Sequence, residues 1–388
     1  MKVSILNVTK DPYDQRVYYK DALALVGSGH EVSIITSYPE EEITEDNIRI
    51  KPFTHKQRTL TSPFVLPARF ISLFFLLKKA IQEDPDVYYC TEPDAWLVGL
   101  GAKIFTNSKV ILNVLEHYPG SISFRLPKIF RKPAEVILGF ITRFFARFAD
   151  HVIFAGNGLR QIFNKLPDNK STVVLNCSKY QSPRPAEKHL GKGEATFKVI
   201  FVGMMTKTRG SEQIRDALID SIKKDSEITL EIVGDFFRNG KKDDEYRRSF
   251  ESSLEVAGVS DNFSVTSWIP FKEVREHLED SDVGLFLGLP ANKNNNYGPA
   301  HKMFDYMSAG IPIIASKYLA YKDMISDNSC GILVDPYKPK EISEAILYLK
   351  RNPEKAREMG LNGWEAAEEK FNWKEEEKKL IGAFEGLI

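Results

Sequence analysis

The chain has 388 residues, 43% of them hydrophobic, which is ordinary for a soluble globular protein and long enough for two domains. Lysine plus arginine and aspartate plus glutamate each number 53, so the net charge is zero, which argues against nucleic acid as the main partner. Cys90, Cys177 and Cys330 lie far apart, with neither metal-ligand spacing nor a disulfide framework, and read as small buried hydrophobes in a reducing compartment. The chain opens directly on a strand pattern without a signal peptide, so a cytoplasmic location is expected.

Strand and helix signals alternate from the start. Residues 3–8 read as a strand, 17–26 as a helix ending at Gly27, and 31–36 as a second strand, a βαβ opening. The loop over 9–16 lacks the Gly-x-Gly-x-x-Gly of a dinucleotide turn, which disfavours a dehydrogenase. It carries Asp14 and Arg16 at the carboxyl end of a strand, where α/β sheets bind ligands. Asp14 suits a helix N-cap equally well. Residues 62–81 read as an apolar helix with basic edges, cut by Lys78 and Lys79 and too short to span a bilayer. Residues 86–90 form a strand followed by a loop, Thr91-Glu92-Pro93-Asp94. Another strand, 109–114, leads into Leu115-Glu116-His117-Tyr118-Pro119; if it continues, His117 projects to the same side as Leu115. Between Ser121 and Asp150 six basic residues stand against two acidic ones, interleaved with Phe and Ile in two helical segments, 124–132 and 141–148. Such segments suit contact with anionic lipid, or core-packing helices with solvated charges. Strands over 151–155 and 172–175 complete the half, and Pro183, Pro185, Gly191 and Gly193 mark a linker over 181–195.

The second half restarts the pattern. A strand over 197–202 is followed by Gly203-Met204-Met205-Thr206-Lys207-Thr208-Arg209-Gly210 and a helix from Ser211. An arginine placed there, beside a glycine-ended strand, can fork onto phosphate oxygens. Strands follow at 228–233 and 263–267, the latter ending in Trp268-Ile269-Pro270. A helix over 271–278 and a buried strand over 283–287 come next. Between them Asp280-Ser281-Asp282 has an Asp-x-Asp spacing but sits at a helix exit, so no metal is expected. Residues 289–296 form a Pro- and Asn-rich loop placed to cover a ligand. Residues 297–315 read as loop, short helix, tight stop and buried strand. Pro299 suits a first helical position, and Gly310 with Pro312 ends the helix. Ala300, Met303, Phe304 and Met307 share its packing face, while His301, Lys302 and Asp305 share the other, and the free N–H groups at its start favour a phosphate. A strand over 331–334, helices from Pro339 and Pro353, and a charged amphipathic helix over 371–388 close the chain.

Residues 298–315 resemble the donor-binding segment of the family-4 retaining glycosyltransferases, enzymes of the GT-B fold also described as glycosyl transferases group 1. In that family two acidic residues flank seven others, and the second binds the ribose hydroxyls. Asp305 matches the second, as Asp for Glu, and Tyr297 falls on the first. Lys302 matches a lysine of one variant, and His301 replaces its Asn. Residues 113–119 resemble a subgroup's Asp-x-His-Glu-x-Tyr-Pro. Glu116, Tyr118 and Pro119 match, Asn113 replaces the Asp and Leu115 the His, which leaves His117 or Glu116 to approach the donor sugar. Asp14 and Arg16 resemble the same subgroup's Asp-x-Arg, meeting an acceptor or a donor phosphate. In the loop at 203–210 the family holds the diphosphate with an Arg and a Lys. Met204 and Arg209 stand there, with Lys207 or Lys302 to restore the missing charge. Main-chain groups near Ile269 read the base.

The resemblance implies an α/β protein of GT-B type, with two Rossmann-like parallel-sheet domains facing each other across a cleft. Residues 1–180 are then the acceptor side, 196–370 the nucleotide-sugar domain, and 371–388 a helix crossing back to the first domain. It further implies a retaining, metal-independent hexosyltransferase that needs no cofactor. The sugar moves from a nucleotide-diphosphate donor, a UDP-sugar by preference, to a glycan or lipid-linked acceptor in cell-surface polysaccharide synthesis. Arg209, Lys302, His117 and Glu116 form the catalytic set. Gly203, Ile269, Tyr297, Gly298, Pro299, Ala300, His301 and Asp305 contact the donor, and Asp14 and Arg16 the acceptor or phosphate. Peripheral contact with the inner face of an anionic membrane is expected through 121–149, and no nucleic acid is expected. Two alternatives stay open: a nucleotide-sugar epimerase of the same fold, and a catalytically impaired nucleotide-sugar-binding subunit suggested by Leu115, Met204 and Tyr297.

Overall fold

The computed structural model describes residues 1–388 apart from 9–10, 39, 54–64, 125, 185–195, 239, 290–296, 299 and 388, and every count below is of the described residues. By its contacts the chain separates into two units, Met1–Asn176 with Trp373–Ile388, and Cys177–Asn372. Residues 181–184, expected in the linker, pack inside the second unit. The Ser182 amide donates to Ser308 O at 2.9 Å, and Trp364 Nε1 donates to Ser182 O at 2.8 Å. The rest of the expected linker lies outside the described residues.

In the first unit the short apolar runs become β1 (Lys2–Asn7), β2 (Glu31–Thr36), β3 (Glu42–Ile43), β4 (Arg49–Pro52), β5 (Val87–Cys90), β6 (Lys109–Val114), β7 (His151–Phe154) and β8 (Ser171–Val173). They form one sheet in the order β3-β4-β2-β1-β5-β6-β7-β8, parallel except for the edge pair β3–β4. A π-helical stretch, Val17–Ala22, runs into α1 (Leu23–Gly27), followed by α2 (Val65–Glu83), α3 (Pro93–Ala102), α4 (Tyr118–Ser123), α5 (Lys128–Ala146) and α6 (Asn157–Ile162). Two expectations change. Pro93, read as a loop residue, opens α3, where its missing N–H is no loss. The two basic segments after Ser121 belong largely to one helix, α5, which runs through Pro133. The C-terminal helix Trp373–Glu385 belongs to this unit: Phe384 packs edge-on to Tyr89 at 5.4 Å, and buried Glu376 accepts the Leu175 amide at 2.7 Å.

The second unit holds β9 (Phe197–Val202), β10 (Ile228–Val233), a hairpin of β11 (Phe237–Arg238) and β12 (Lys241–Lys242), then β13 (Phe263–Val265), β14 (Val283–Phe286), β15 (Ile313–Ser316) and β16 (Gly331–Val334). Its main sheet is all parallel, in the order β13-β10-β9-β14-β15-β16. The helices are α7 (Ser211–Lys224), α8 (Asp244–Ala257), α9 (Phe271–Glu279), α10 (His301–Ala309), α11 (Leu319–Ile325), α12 (Pro339–Arg351) and α13 (Pro353–Glu369). In each sheet the strand order reverses beside the first strand, at β1/β5 and at β9/β14. Such a reversal opens a crevice at the carboxyl ends of parallel strands.

α10 does not keep one face packed and the other open, as its pattern leads one to expect. Residues 302–309 are all buried, Lys302 and Asp305 included. The helix starts at His301 with Ala300 as its N-cap, later than the expected start at Pro299, a residue outside those described. Tyr306 fixes it to the sheet: its hydroxyl donates to Leu285 O at 3.1 Å and accepts the Val202 amide at 3.2 Å, joining β9 and β14. The tyrosine ring lies over Gly284, where an added Cβ would sit 2.6 Å from the ring. Gly284→Ala is therefore expected to lower stability by about 1–3 kcal/mol, as overpacking a close-packed core does, read as a lower urea or thermal midpoint.

Candidate active site

The corner where β9 meets β14 is built on glycines. Gly203 follows β9 with φ +102°, a conformation that favours glycine, and an added Cβ would lie 2.7 Å from Lys302 Nζ and 3.8 Å from Arg209 Nη1. Gly234, after β10, packs so closely that its Cβ would stand 2.3 Å from Gly203 O. The loop after β14 closes on the loop after β9, with the Leu289 amide donating to Thr208 O at 2.8 Å. A 3-10 turn, Lys207–Arg209, then brings the Arg209 guanidinium back so that Nη1 donates to Met204 O at 3.0 Å. Met204, standing where the family has an arginine, thus contributes its carbonyl.

Lys302 enters the same corner from the first turn of α10. It is 3% exposed, its ammonium lies 4.6 Å from the centre of the Phe201 ring, and Nζ has no hydrogen-bond partner among the described residues. Burial holds this lysine well below the ordinary ammonium range, the Arg209 charge pushes the same way, and Asp305, one turn further along α10, opposes both. Burial also lowers Arg209. A desolvated ammonium beside a guanidinium is unfavourable until an anion arrives. Two converging cations at a helix N-terminus suit a phosphate or diphosphate. Lys207 is engaged elsewhere, paired with Glu212 at 2.7 Å, so the second cation of the corner is Lys302.

The remaining candidates of this unit sit around that corner to different degrees. Asp305 is buried on α10, its charge felt by Lys302. Ala300 caps the helix, and Tyr297, Gly298 and His301 are half-buried before or at its start; Pro299 lies outside the described residues. Ile269 is half-buried in the loop after β13, at the same carboxyl edge of the sheet, beside Ser267 with φ +62°. Asp280 and Asp282 both engage Lys198: Asp282 Oδ2 accepts its amide at 2.7 Å, and Asp280 pairs with its ammonium. Among the described residues no group of three or more His, Cys, Asp or Glu is arranged to hold a metal ion.

The first unit uses its charges differently. Arg16 is 4% exposed, paired with buried Asp21 at 2.8 Å, donating to Leu175 O at 2.9 Å and lying over the Trp373 ring at 5.0 Å. Asp21 in turn accepts from the Tyr89 hydroxyl at 2.8 Å, and Asn113 donates to that hydroxyl. Arg16 thus ties the C-terminal helix to the sheet through Asp21, Leu175 and Trp373. Asp14 Oδ1 accepts the amides of Arg16 and Val17 at 2.9 and 3.0 Å, the capping alternative of the sequence reading. β6 stops at Val114, so the argument that carried its alternation on to His117 fails. His117 is instead the N-cap of α4, Nδ1 accepting the Gly120 amide at 3.2 Å. Asp14, Glu92 and Glu116 all act on the buried Tyr118 hydroxyl, which desolvation first and these carboxylates next raise well above its ordinary range. That hydroxyl donates to Thr91 O at 2.9 Å.

Tyr306 and Gly234 escaped the sequence reading. Glycines within or just after buried strands signal a close approach, and Gly284 and Gly234 carry that signal.

Residues 15–177 match the family model described as Glycosyltransferase Family 4, and residues 184–365 that described as Glycosyl transferases group 1. The chain is 24% identical over 368 residues to an uncharacterised glycosyltransferase of Methanocaldococcus jannaschii, covering 91% of this chain and 88% of that one. It is 23% identical to spore coat protein SA of Bacillus subtilis over 48% of each chain. Sucrose-phosphate synthase of Thermosynechococcus elongatus superposes with a TM-score of 0.77 at 16% identity, covering 100% of this chain and 98% of that one. The HepE protein of Anabaena, solved in complex with UDP, superposes with a TM-score of 0.73 at 14% identity, covering 99% and 100%. The fold is GT-B.

Two substitutions separate the roles of the buried cations. Lys302→Met removes an uncompensated charge. It is expected to stabilise the ligand-free protein by roughly 1–3 kcal/mol and to abolish the rise in Tm that pyrophosphate gives the wild type. Arg16→Ala strands Asp21 in the core and is expected to destabilise by about 3–5 kcal/mol, while the pyrophosphate-induced rise persists; both are read by thermal unfolding with and without the anion.

Proposed function

The chain belongs to the family-4 glycosyltransferases, and on that premise we propose that it moves a sugar from a UDP-sugar to a hydroxyl of a glycan or lipid-linked acceptor, with retention at the anomeric carbon, in the assembly of a cell-surface polysaccharide. The observation that carries the donor half is the meeting of half-buried Arg209 with buried Lys302, whose ammonium nitrogen has no hydrogen-bond partner among the described residues. Negative charge grows on the leaving diphosphate as the glycosidic bond breaks. Cations already fixed at that place lower the barrier without reorganising. In this reading Arg209, Lys302 and the N–H groups at the start of α10 take up that charge without a divalent metal. Asp305 holds the ribose, and main-chain groups near Ile269 meet the base. The leaving phosphate helps deprotonate the acceptor hydroxyl, which attacks the face the phosphate leaves. In this reading the first unit supplies the acceptor contacts.

UDP is favoured because HepE was solved with UDP and with UDP-glucose. A cytoplasmic place of action fits three buried free thiols.

The test begins with a thermal-shift screen of UDP- and GDP-sugars, since a ligand bound only by the native state raises Tm. UDP release is then followed with the donor that binds. Arg209→Ala is expected to lower turnover about 10²–10³-fold; wild-type turnover in that variant, or no shift with any nucleotide-sugar, overturns the reading. pH gives a second readout. Lys302 is depressed in the free protein and is raised by a bound diphosphate, so binding takes up a proton between the two values. Affinity for UDP is therefore full below the free-state pKa and falls as pH rises through that window, and calorimetry in buffers of unlike ionisation enthalpy counts the proton.

A further inference from the structure

α5 turns only a narrow side inward, burying Gly139, Thr142 and Ala146. At about 100° per residue, Ile129, Val136, Ile137, Phe140 and Phe148 fall within one stripe about 120° wide. All five are more than half exposed, Ile129 at 77% and Phe140 at 67%. Lys132 and Arg143 line one margin of the stripe, Arg147 at the helix's C-cap falls within it, Lys128 stands in the first turn further round, and Glu135 is the helix's single carboxylate. None of these four cations forms an ion pair among the described residues. α2 packs beside α3, and α3 beside α5. Exposed Phe70 and Phe74 on α2, with Ile104 and Phe105 just after α3, extend the apolar surface across this row. A cavity of about 390 Å³ opens between α5 and residues 162–166, with Arg143, Arg147 and Lys165 on its wall beside Phe140 and Phe144.

A stripe of large apolar side chains edged by cations of one sign is the pattern of a helix lying in a lipid interface. No described helix is long and apolar enough to cross a membrane, so α5 would lie on the surface. A second copy of the chain fits less well: a two-fold contact would set each cation margin against itself, with one carboxylate per helix to offset it. We propose that α5 docks the first unit on an anionic lipid surface. Its stripe enters the acyl boundary, its cations meet the phosphates, and the cavity wall formed by Arg143, Arg147 and Lys165 holds one lipid phosphate. This contact goes beyond the transfer reaction and is independent of the donor corner, which belongs to the other unit.

Sedimentation of the full chain with vesicles tests it, comparing phosphatidylglycerol in phosphatidylcholine with phosphatidylcholine alone. Binding to the mixed vesicles at low salt, weakened by added salt, is the expected result. Each cation near such a surface is worth roughly fivefold in binding, so Arg143→Gln with Arg147→Gln and Lys165→Gln lowers the partition roughly a hundredfold. Phe140→Ser with Ile137→Ser weakens it at every salt concentration. The UDP-induced rise in Tm stays unchanged in both variants, which checks their folding and keeps this test apart from that of the donor site. No binding of the wild type to mixed vesicles, equal binding to both vesicle types, or an unchanged partition in the triple variant overturns the proposal. So does a dimer that Ile137→Ser dissociates, since the occupant of the stripe is then a second copy.

Discussion

Holding an ammonium in the interior beside a guanidinium, with no hydrogen-bond partner for its nitrogen, is the constraint around which the second unit is arranged. Such a pair lowers the stability of the empty protein, and the surrounding structure has to prevent it from relaxing into solvent. Tyr306 does this by joining α10 to two strands at once. Gly203 and Gly234 let the two strand ends approach until no side chain fits between them and the cations. The same rigidity makes the charge useful, since cations fixed before a reaction need no reorganisation when negative charge develops beside them.

The two sheets reverse their strand order at equivalent places, yet they treat charge there in opposite ways. In the first unit Arg16 pairs with Asp21, which accepts from Tyr89, and Asn113 donates to that hydroxyl, so that the charges are matched and the result is an internal tie to the C-terminal helix. In the second unit Arg209 and Lys302 are left in excess of their neighbours. A compensated buried network serves mainly to fix conformation, whereas an uncompensated one calls for a ligand of opposite charge. The topology thus marks where a site can form, and the balance of side chains decides whether it does.

The outer helices of the first unit follow a different rule. Their apolar residues look outward, and Lys128, Lys132, Arg143 and Arg147 form no ion pair among the described residues. Near-zero net charge conceals this, because the balance holds for the whole chain and fails along a single helix.

Much of this was legible beforehand. Apolar runs and glycine or proline stops located the parallel strands from Lys2 to Val334 except β4, since these signals are local. The segment 298–315, Arg209 and Asp305 could be singled out because a motif keeps its spacing whatever packs around it. Three things needed the folded chain. Lys302 and Asp305 look like the polar face of a surface helix, and only the packing of α10 shows both buried. Arg16 looks like a ligand-facing loop residue, and its carboxylate partner lies five positions on, buried within the helical stretch that follows it. His117 could not be oriented from strand alternation, because β6 stops at Val114 and a helix begins at Tyr118. The sequence determined which residues carry charge and where the strands and turns lie. The tertiary structure alone decided which charges lose their water and which then find a partner, because desolvation depends on neighbours brought together from distant parts of the chain.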